Sequence, residues 1–174
     1  MSALTASSTR AAPDPDELAE EAVADTYLTF VLASQIFVVP VANVREILDL
    51  QSISRLPNAP GDLVGMIDVR GQGIGVVDLA SRLGLRLEGG AQSRIVVLEL
   101  GDGPERAPLG IVADRVLSVA EIDPTTVEAA PRTMSSWEAR EVRGITRLDG
   151  QIAILLNLGA IFSSDPALDP AFVF

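Results

Sequence analysis

The sequence from Val64 to Leu79, VGMIDVRGQGIGVVDL, returns in pattern 79 positions later as RGITRLDGQIAILLNL, from Arg143 to Leu158. Gly65 and Gly144, Gly71 and Gly150, Gln72 and Gln151, and Leu79 and Leu158 coincide, and Asp78 is matched by Asn157. Upstream, Phe37-Val38-Val39 with Val44 and Ile47 is echoed by Leu109-Gly110-Ile111 with Val116 and Val119 at a spacing of 72, the difference being an insertion between the two blocks. A duplication of this kind limits the chain to two copies of one small unit. A unit of roughly 70 residues buries too little surface to be robust alone, so the copies are expected to pack together. The groove between them is then a natural place for a ligand or partner.

Within each copy the apolar segments are short, rich in Val and Ile, and separated by Gly, Pro and Asp. That pattern predicts strands at about 27–33, 35–39, 44–50, 63–68, 73–78, 94–100, 108–112, 114–120, 142–148 and 151–156. Ser34-Gln35, Gly101-Asp102-Gly103-Pro104 and Asp149-Gly150 read as turns. Two short helices are expected near 79–83 and 157–162, N-capped by Asp78 and Asn157. Gly65, Gly71, Gly144 and Gly150 read as structural cap and turn positions. The class is all-β, with barrels or sandwiches. The boundaries expected are a first subdomain at 27–85, a second at 93–156, and the helix at 157–162. Residues 1–26 read as a disordered acidic tail, either a solvated leader or a partner-binding arm, and 164–174 as a flexible C-terminal tail.

The composition removes whole classes of chemistry. The chain has no cysteine, no histidine and no lysine; all thirteen basic residues are arginine. The commonest general base, the commonest metal ligand, the thiolate nucleophile, the Schiff-base amine and the P-loop lysine are therefore missing. No metal or cofactor is expected. The net charge is −11, with no basic stripe to track a phosphate backbone, and only seven aromatic residues are present, so nucleic acid is not an expected partner. No apolar run approaches the roughly 20 residues of a membrane span, which predicts a soluble, cytoplasmic protein without direct membrane insertion. Gly71-x-Gly73-x-Gly75 has the wrong spacing for a nucleotide loop and precedes no long helix. Asp78 and Asp114 suit a cap and a strand-end turn better than a pair of reacting carboxylates.

The first hairpin block, Val64-Gly65-Met66-Ile67-Asp68-Val69-Arg70-Gly71, then Val76-Val77-Asp78-Leu79 and Leu83-Gly84, resembles the CheW family of bacterial chemotaxis coupling proteins. Val44-Arg45-Glu46-Ile47 is similar to the family's Val-x-Glu-Ile, Arg55 to Pro60 to its approach to the first glycine, and Gly110 to Val116 to its Gly-x-x-Val-Asp-x-Val element. The resemblance runs from about residue 27 to 162. Asp68-Val69 stands where the family has Asn-Leu, and Gly75 where it has proline. The resemblance implies two five-stranded SH3-like barrels and an adaptor, not an enzyme. It would join the cytoplasmic tips of methyl-accepting chemoreceptors to the regulatory domain of a CheA-type histidine kinase at the inner face of the membrane. The chain would be a monomer alone and part of ring-like arrays with the kinase. The two departures leave room for a coupling protein of a non-motility chemosensory pathway; a small-ligand-binding β-barrel is the other alternative.

By the same resemblance, Val44, Glu46, Ile47 and Arg70 are receptor-binding candidates, with Gly110 and Val112 as the opposite wall. Arg70 anchors receptor contacts or braces two strands by a forked bond to a carboxylate such as Glu46. Val44 and Ile47 form a groove lip or belong to the core. Gly110 is alternatively a close-approach position. Met134 and Trp137, on a segment interrupting the second copy, are candidates for the kinase contact or for a plug over a barrel end.

Overall fold

The computed structural model describes residues 25–59, 61–131 and 140–162. Ten strands appear: β1 Thr26–Leu32, β2 Gln35–Pro40, β3 Val44–Asp49, β4 Leu63–Val69, β5 Gln72–Val77, β6 Arg94–Leu100, β7 Ala107–Ala113, β8 Arg115–Glu121, β9 Val142–Leu148 and β10 Gln151–Leu156. Two short helices, α1 Leu79–Arg82 and α2 Leu158–Phe162, follow β5 and β10. The fold is all-β, as expected. The first strand begins at Thr26, and the Asp25 carbonyl accepts the Ile122 amide at 2.9 Å, so the folded part starts slightly before the expected boundary. Residues 1–24 of the tail expected at 1–26, the tail expected at 164–174, and Met134 and Trp137 lie outside the described residues.

The strands form two five-stranded sheets, ordered β8-β1-β2-β10-β9 and β3-β6-β7-β5-β4. Substituting each strand by its repeat counterpart turns one order into the other, which is the duplication seen in three dimensions. The division at 27–85 and 93–156 does not survive. Each sheet takes the leading hairpin of the opposite copy: β1–β2 joins β8, β9 and β10, and β6–β7 joins β3, β4 and β5. The exchange rests on two parallel pairings, β2 with β10 and β5 with β7. One sheet is thus continuous in sequence, and the other is assembled around it.

Both sheets curl. The backbone of Ser54, beyond β3, exchanges two 2.8 Å hydrogen bonds with Met66 of β4, and Glu128, beyond β8, does the same with Ile145 of β9. These bridges bring together the two edges of each sheet and give the SH3-like, barrel-like shape. Gly65 and Gly144 sit beside them for a steric reason. A Cβ on Gly65 would lie 2.2 Å from the Ser54 carbonyl oxygen, and one on Gly144 would lie 2.7 Å from that of Glu128.

Curling explains the near-continuous apolar runs. One face of each sheet fills its own barrel, and the other packs on the opposite sheet. In β6, Ile95 and Val97 belong to the barrel core, while Val96, Leu98 and Leu100 belong to the core shared between the sheets. In β10, Ala153 and Leu155 point one way and Ile154 and Leu156 the other. The shared core is centred on Phe30 and Phe37, cross-strand partners whose rings stack at 6.3 Å. Side chains of this size stabilise by about 1.5–3 kcal/mol each when fully buried.

Candidate functional site

The hairpin β4–β5 turns through Arg70 and Gly71, both with positive φ (52° and 81°), the geometry of a two-residue type I′ turn. Asp149 and Gly150 repeat it between β9 and β10 at 49° and 78°. Asp68 Oδ1 accepts the Gly71 amide at 2.9 Å. An asparagine carbonyl could accept the same bond, so this departure from the family pattern keeps the turn and adds charge. The turn projects Arg70 across the barrel mouth to β3. Its Nη2 donates to Glu46 Oε2 at 3.1 Å and its Nη1 to Oε1 at 3.5 Å. Glu46 is mostly covered, its side chain 15% exposed, whereas that of Arg70 is 77% exposed and presents its remaining donors to solvent.

Around this pair runs a chain of alternating charge. Arg45 Nε lies 3.9 Å from Glu46 and 4.0 Å from Glu99, and Arg106 lies 3.7 Å from Glu99. Arg45 also donates to Gln72 Oε1 at 3.1 Å. Three arginines and two glutamates thus link β3, the end of β6 and the β4–β5 turn. Arg45, Gln72, Glu99 and Arg106 escaped the sequence reading; charged residues alternating on neighbouring strands leave no motif, and their pairing depends on strand order.

The other copy serves as an internal comparison. At the repeat spacing, Ser118 stands in place of Glu46 and Asp149 in place of Arg70. There Ser118 is held through Thr29, whose hydroxyl donates to the Ser118 carbonyl at 2.8 Å. Ser118 and Asp149 cannot form an ion pair with each other, so among the described residues the Glu46–Arg70 clamp has no counterpart at these repeat positions.

Ile47, on the outer face of β3, is 43% exposed, and Val44 is partly buried against the shared core. Burial alternates along β3, so Val44 and Glu46 are partly covered while Ile47 faces out from the other side of the strand, and Arg70 reaches Glu46 from the β4–β5 turn. Gly110 and Val112 do not join them as a wall. Gly110 is buried in β7, and a Cβ there would meet Val76 Cγ2 at 3.1 Å and Ile95 Cγ2 at 3.2 Å. Val112 packs on the same barrel core. Both positions fall on the face of β7 that lines the barrel core, so they belong to the packing rather than to a surface.

Asp78 caps α1, accepting the Ser81 amide at 2.9 Å, and Asn157 accepts the Ala160 amide at 3.3 Å. Asp114 does more than end a strand. Its carboxylate is buried and accepts three backbone amides, from Ala33 at 2.8 Å, Glu88 at 3.1 Å and Gly89 at 2.8 Å. It thereby ties the β1–β2 turn to the segment joining the two copies. That turn falls on Ala33-Ser34 (φ 49° and 66°), one residue earlier than expected. Among the described residues no group of three or more acidic side chains is placed to hold a metal ion, and no helix is long and apolar enough to cross a membrane.

The site is thus a surface ion-pair cluster at the mouth of one of two interlocked, duplicated barrel-like sheets. The model of the CheW-like domain matches residues 26–165, and the chain belongs to that family. It is 28% identical over 137 residues to a probable chemotaxis protein CheW of Rhizobium etli, covering 78% of this chain and 86% of the relative. It is also 28% identical over 142 residues to the chemotaxis protein CheW of Treponema pallidum, covering 79% and 81%. The crystal structure of the scaffolding protein TtCheW from Thermoanaerobacter tengcongensis superposes with a TM-score of 0.70 at 28% identity, covering 80% of this chain and 88% of that one.

Proposed function

We propose that the chain is a non-catalytic, cytoplasmic adaptor that couples chemoreceptor signalling tips to a CheA-type histidine kinase, held at the inner face of the membrane through the receptors. Family membership supports the role. The observation that carries the site is the asymmetry between the copies: a Glu46–Arg70 clamp at one barrel mouth and no counterpart at the other. Val44, Glu46, Ile47 and Arg70 form the receptor-facing surface in this reading, with Ile47 supplying exposed apolar area and Arg70 a forked donor for a partner carboxylate. Gly110 and Val112 back that surface from inside the barrel. Met134 and Trp137 are the proposed kinase contact. The test is reconstitution of kinase, receptor tips and this chain. Kinase activity that responds to the receptor only when the chain is present supports the coupling role; a response equally strong without it refutes the role.

A further inference from the structure

The repeat also shows what kind of segment fits a groove that neither the clamp nor the family resemblance touches. After α1 the chain continues as Gly84-Leu85-Arg86-Leu87-Glu88-Gly89 and lies along the first copy. Leu85 and Leu87 pack on the shared core, and the Leu85 amide donates to the Ala80 carbonyl at 2.7 Å. Glu88 and Gly89 then reach Asp114, and Ser34 of the β1–β2 turn donates to the Glu88 carboxylate. The counterpart surface after α2 is a cavity of about 400 Å³. Phe162, Gly159 and Leu100 line it at the repeat positions of Leu83, Ala80 and Leu32, which belong to the core cluster that Leu85 and Leu87 cover in the first copy. Asn43 lines it at the repeat position of Arg115, and the β6–β7 loop replaces the β1–β2 turn.

The sequence following α2 does not repeat the filling segment. Ser163-Ser164-Asp165-Pro166 stands where the first copy has Gly84-Leu85-Arg86-Leu87, so both leucines are missing and the basic residue between them becomes acidic. Among the described residues the groove carries Asp102 and Glu105 against the guanidinium of Arg143. Its charge therefore favours a segment like Leu85-Arg86-Leu87 over one bearing Asp165.

We propose that this groove receives an extended segment of a partner protein, with two large apolar side chains two positions apart and a basic residue between them. The partner supplies in trans what Gly84–Gly89 supplies in cis to the other copy. This goes beyond the adaptor reading and uses none of the residues on which that reading rests.

The test is a fluorescence-anisotropy titration of the full chain with a labelled synthetic peptide of sequence GLRLEG, copied from residues 84–89. Saturable binding is expected, at least about tenfold weaker when both leucines of the peptide are serine. Gly159→Leu should weaken it by a similar factor while leaving the melting curve unchanged. A Cβ at Gly159 meets only Asn157 Oδ1 at 3.6 Å, an ordinary contact, and leucine is the better helix former. The chain ends in the apolar run Ala171-Phe172-Val173-Phe174. Three results overturn the proposal: no binding, binding unaffected by Gly159→Leu, or binding that tightens about tenfold when Phe172 and Phe174 are changed to serine, since the groove would then be occupied by that run.

Discussion

Arg70 and Glu46 join the two edges of one curled sheet: the guanidinium at the β4–β5 turn forks onto a carboxylate of β3, with the shorter arm at 3.1 Å. The Ser54–Met66 bridge joins the same pair of edges through the backbone. The sheet is therefore closed twice, once by peptide groups and once by a pair whose cationic side faces solvent. Only the first closure has a counterpart in the other barrel, at Glu128–Ile145.

Arg70→Glu should separate folding from binding. A pair with one partner this exposed contributes about 0.2–1 kcal/mol, so circular dichroism and the melting temperature should change little while receptor or kinase association weakens. Reversing the pair, with Arg70→Glu and Glu46→Arg together, should restore the ion pair but not the association. Unfolding of the single variant would show that Arg70 is a structural residue and would falsify its placement at the site.

Gly65→Ala and Gly144→Ala should each destabilise by about 1–3 kcal/mol or more, the usual cost of forcing atoms into filled space. The added methyl would meet the Ser54 carbonyl in one case and, in the other, Val127 Cγ1 at 2.6 Å with the Glu128 carbonyl. Gly61→Ala is the control, because nothing lies within 4 Å of a Cβ there. Urea unfolding of the three variants checks the ranking; equal midpoints would remove the steric explanation of the repeated glycines.

Asp114→Ala leaves three backbone amides without their acceptor, and stability should fall by about 2–4 kcal/mol, since each orphaned buried donor carries a cost of about 1–3 kcal/mol that water entry relieves in part. Hydrogen exchange should quicken first at Ala33, Glu88 and Gly89. Protection unchanged at those three amides would show that the carboxylate does not hold the segment between the copies.

Asp123 titrates below the ordinary carboxylate range because it accepts the Thr125 hydroxyl at 2.7 Å and the Thr125 amide at 2.8 Å. A depressed carboxylate contributes stability above its unfolded pKa and loses it as pH falls through the folded value. Thr125→Val removes the hydroxyl bond, so the Asp123 titration followed by NMR should move up toward the ordinary value. An unmoved midpoint would assign the depression to another cause.

Local structure was largely legible in the chain. All ten strands lie within one residue of their expected bounds, because Val-rich runs between Gly, Asp and Pro leave few alternatives. Strand partnership was not legible. Nothing in Phe37-Val38-Val39 says that this strand runs parallel to Ile154 and Leu155 rather than closing a barrel with its own copy. The exchange is decided by the shared core, where Phe30, Phe37, Val96 and Leu98 meet. The same limit applies to the site residues. Glu46 and Arg70 could be paired by charge and proximity to a turn, but the placement of Gly110 and Val112 in the packing depends on β7 lying between β5 and β6.

The central claim is that this chain links a kinase to receptors. Its most direct test is a titration against the regulatory domain of a CheA-type kinase from the same organism, with receptor signalling tips added as the second component. The account predicts saturable binding to the kinase domain, retention of the receptor tips in the same complex, and loss of the tips with Arg70→Glu. Absence of binding to any such kinase would contradict the coupling role while leaving the interlocked double barrel in place.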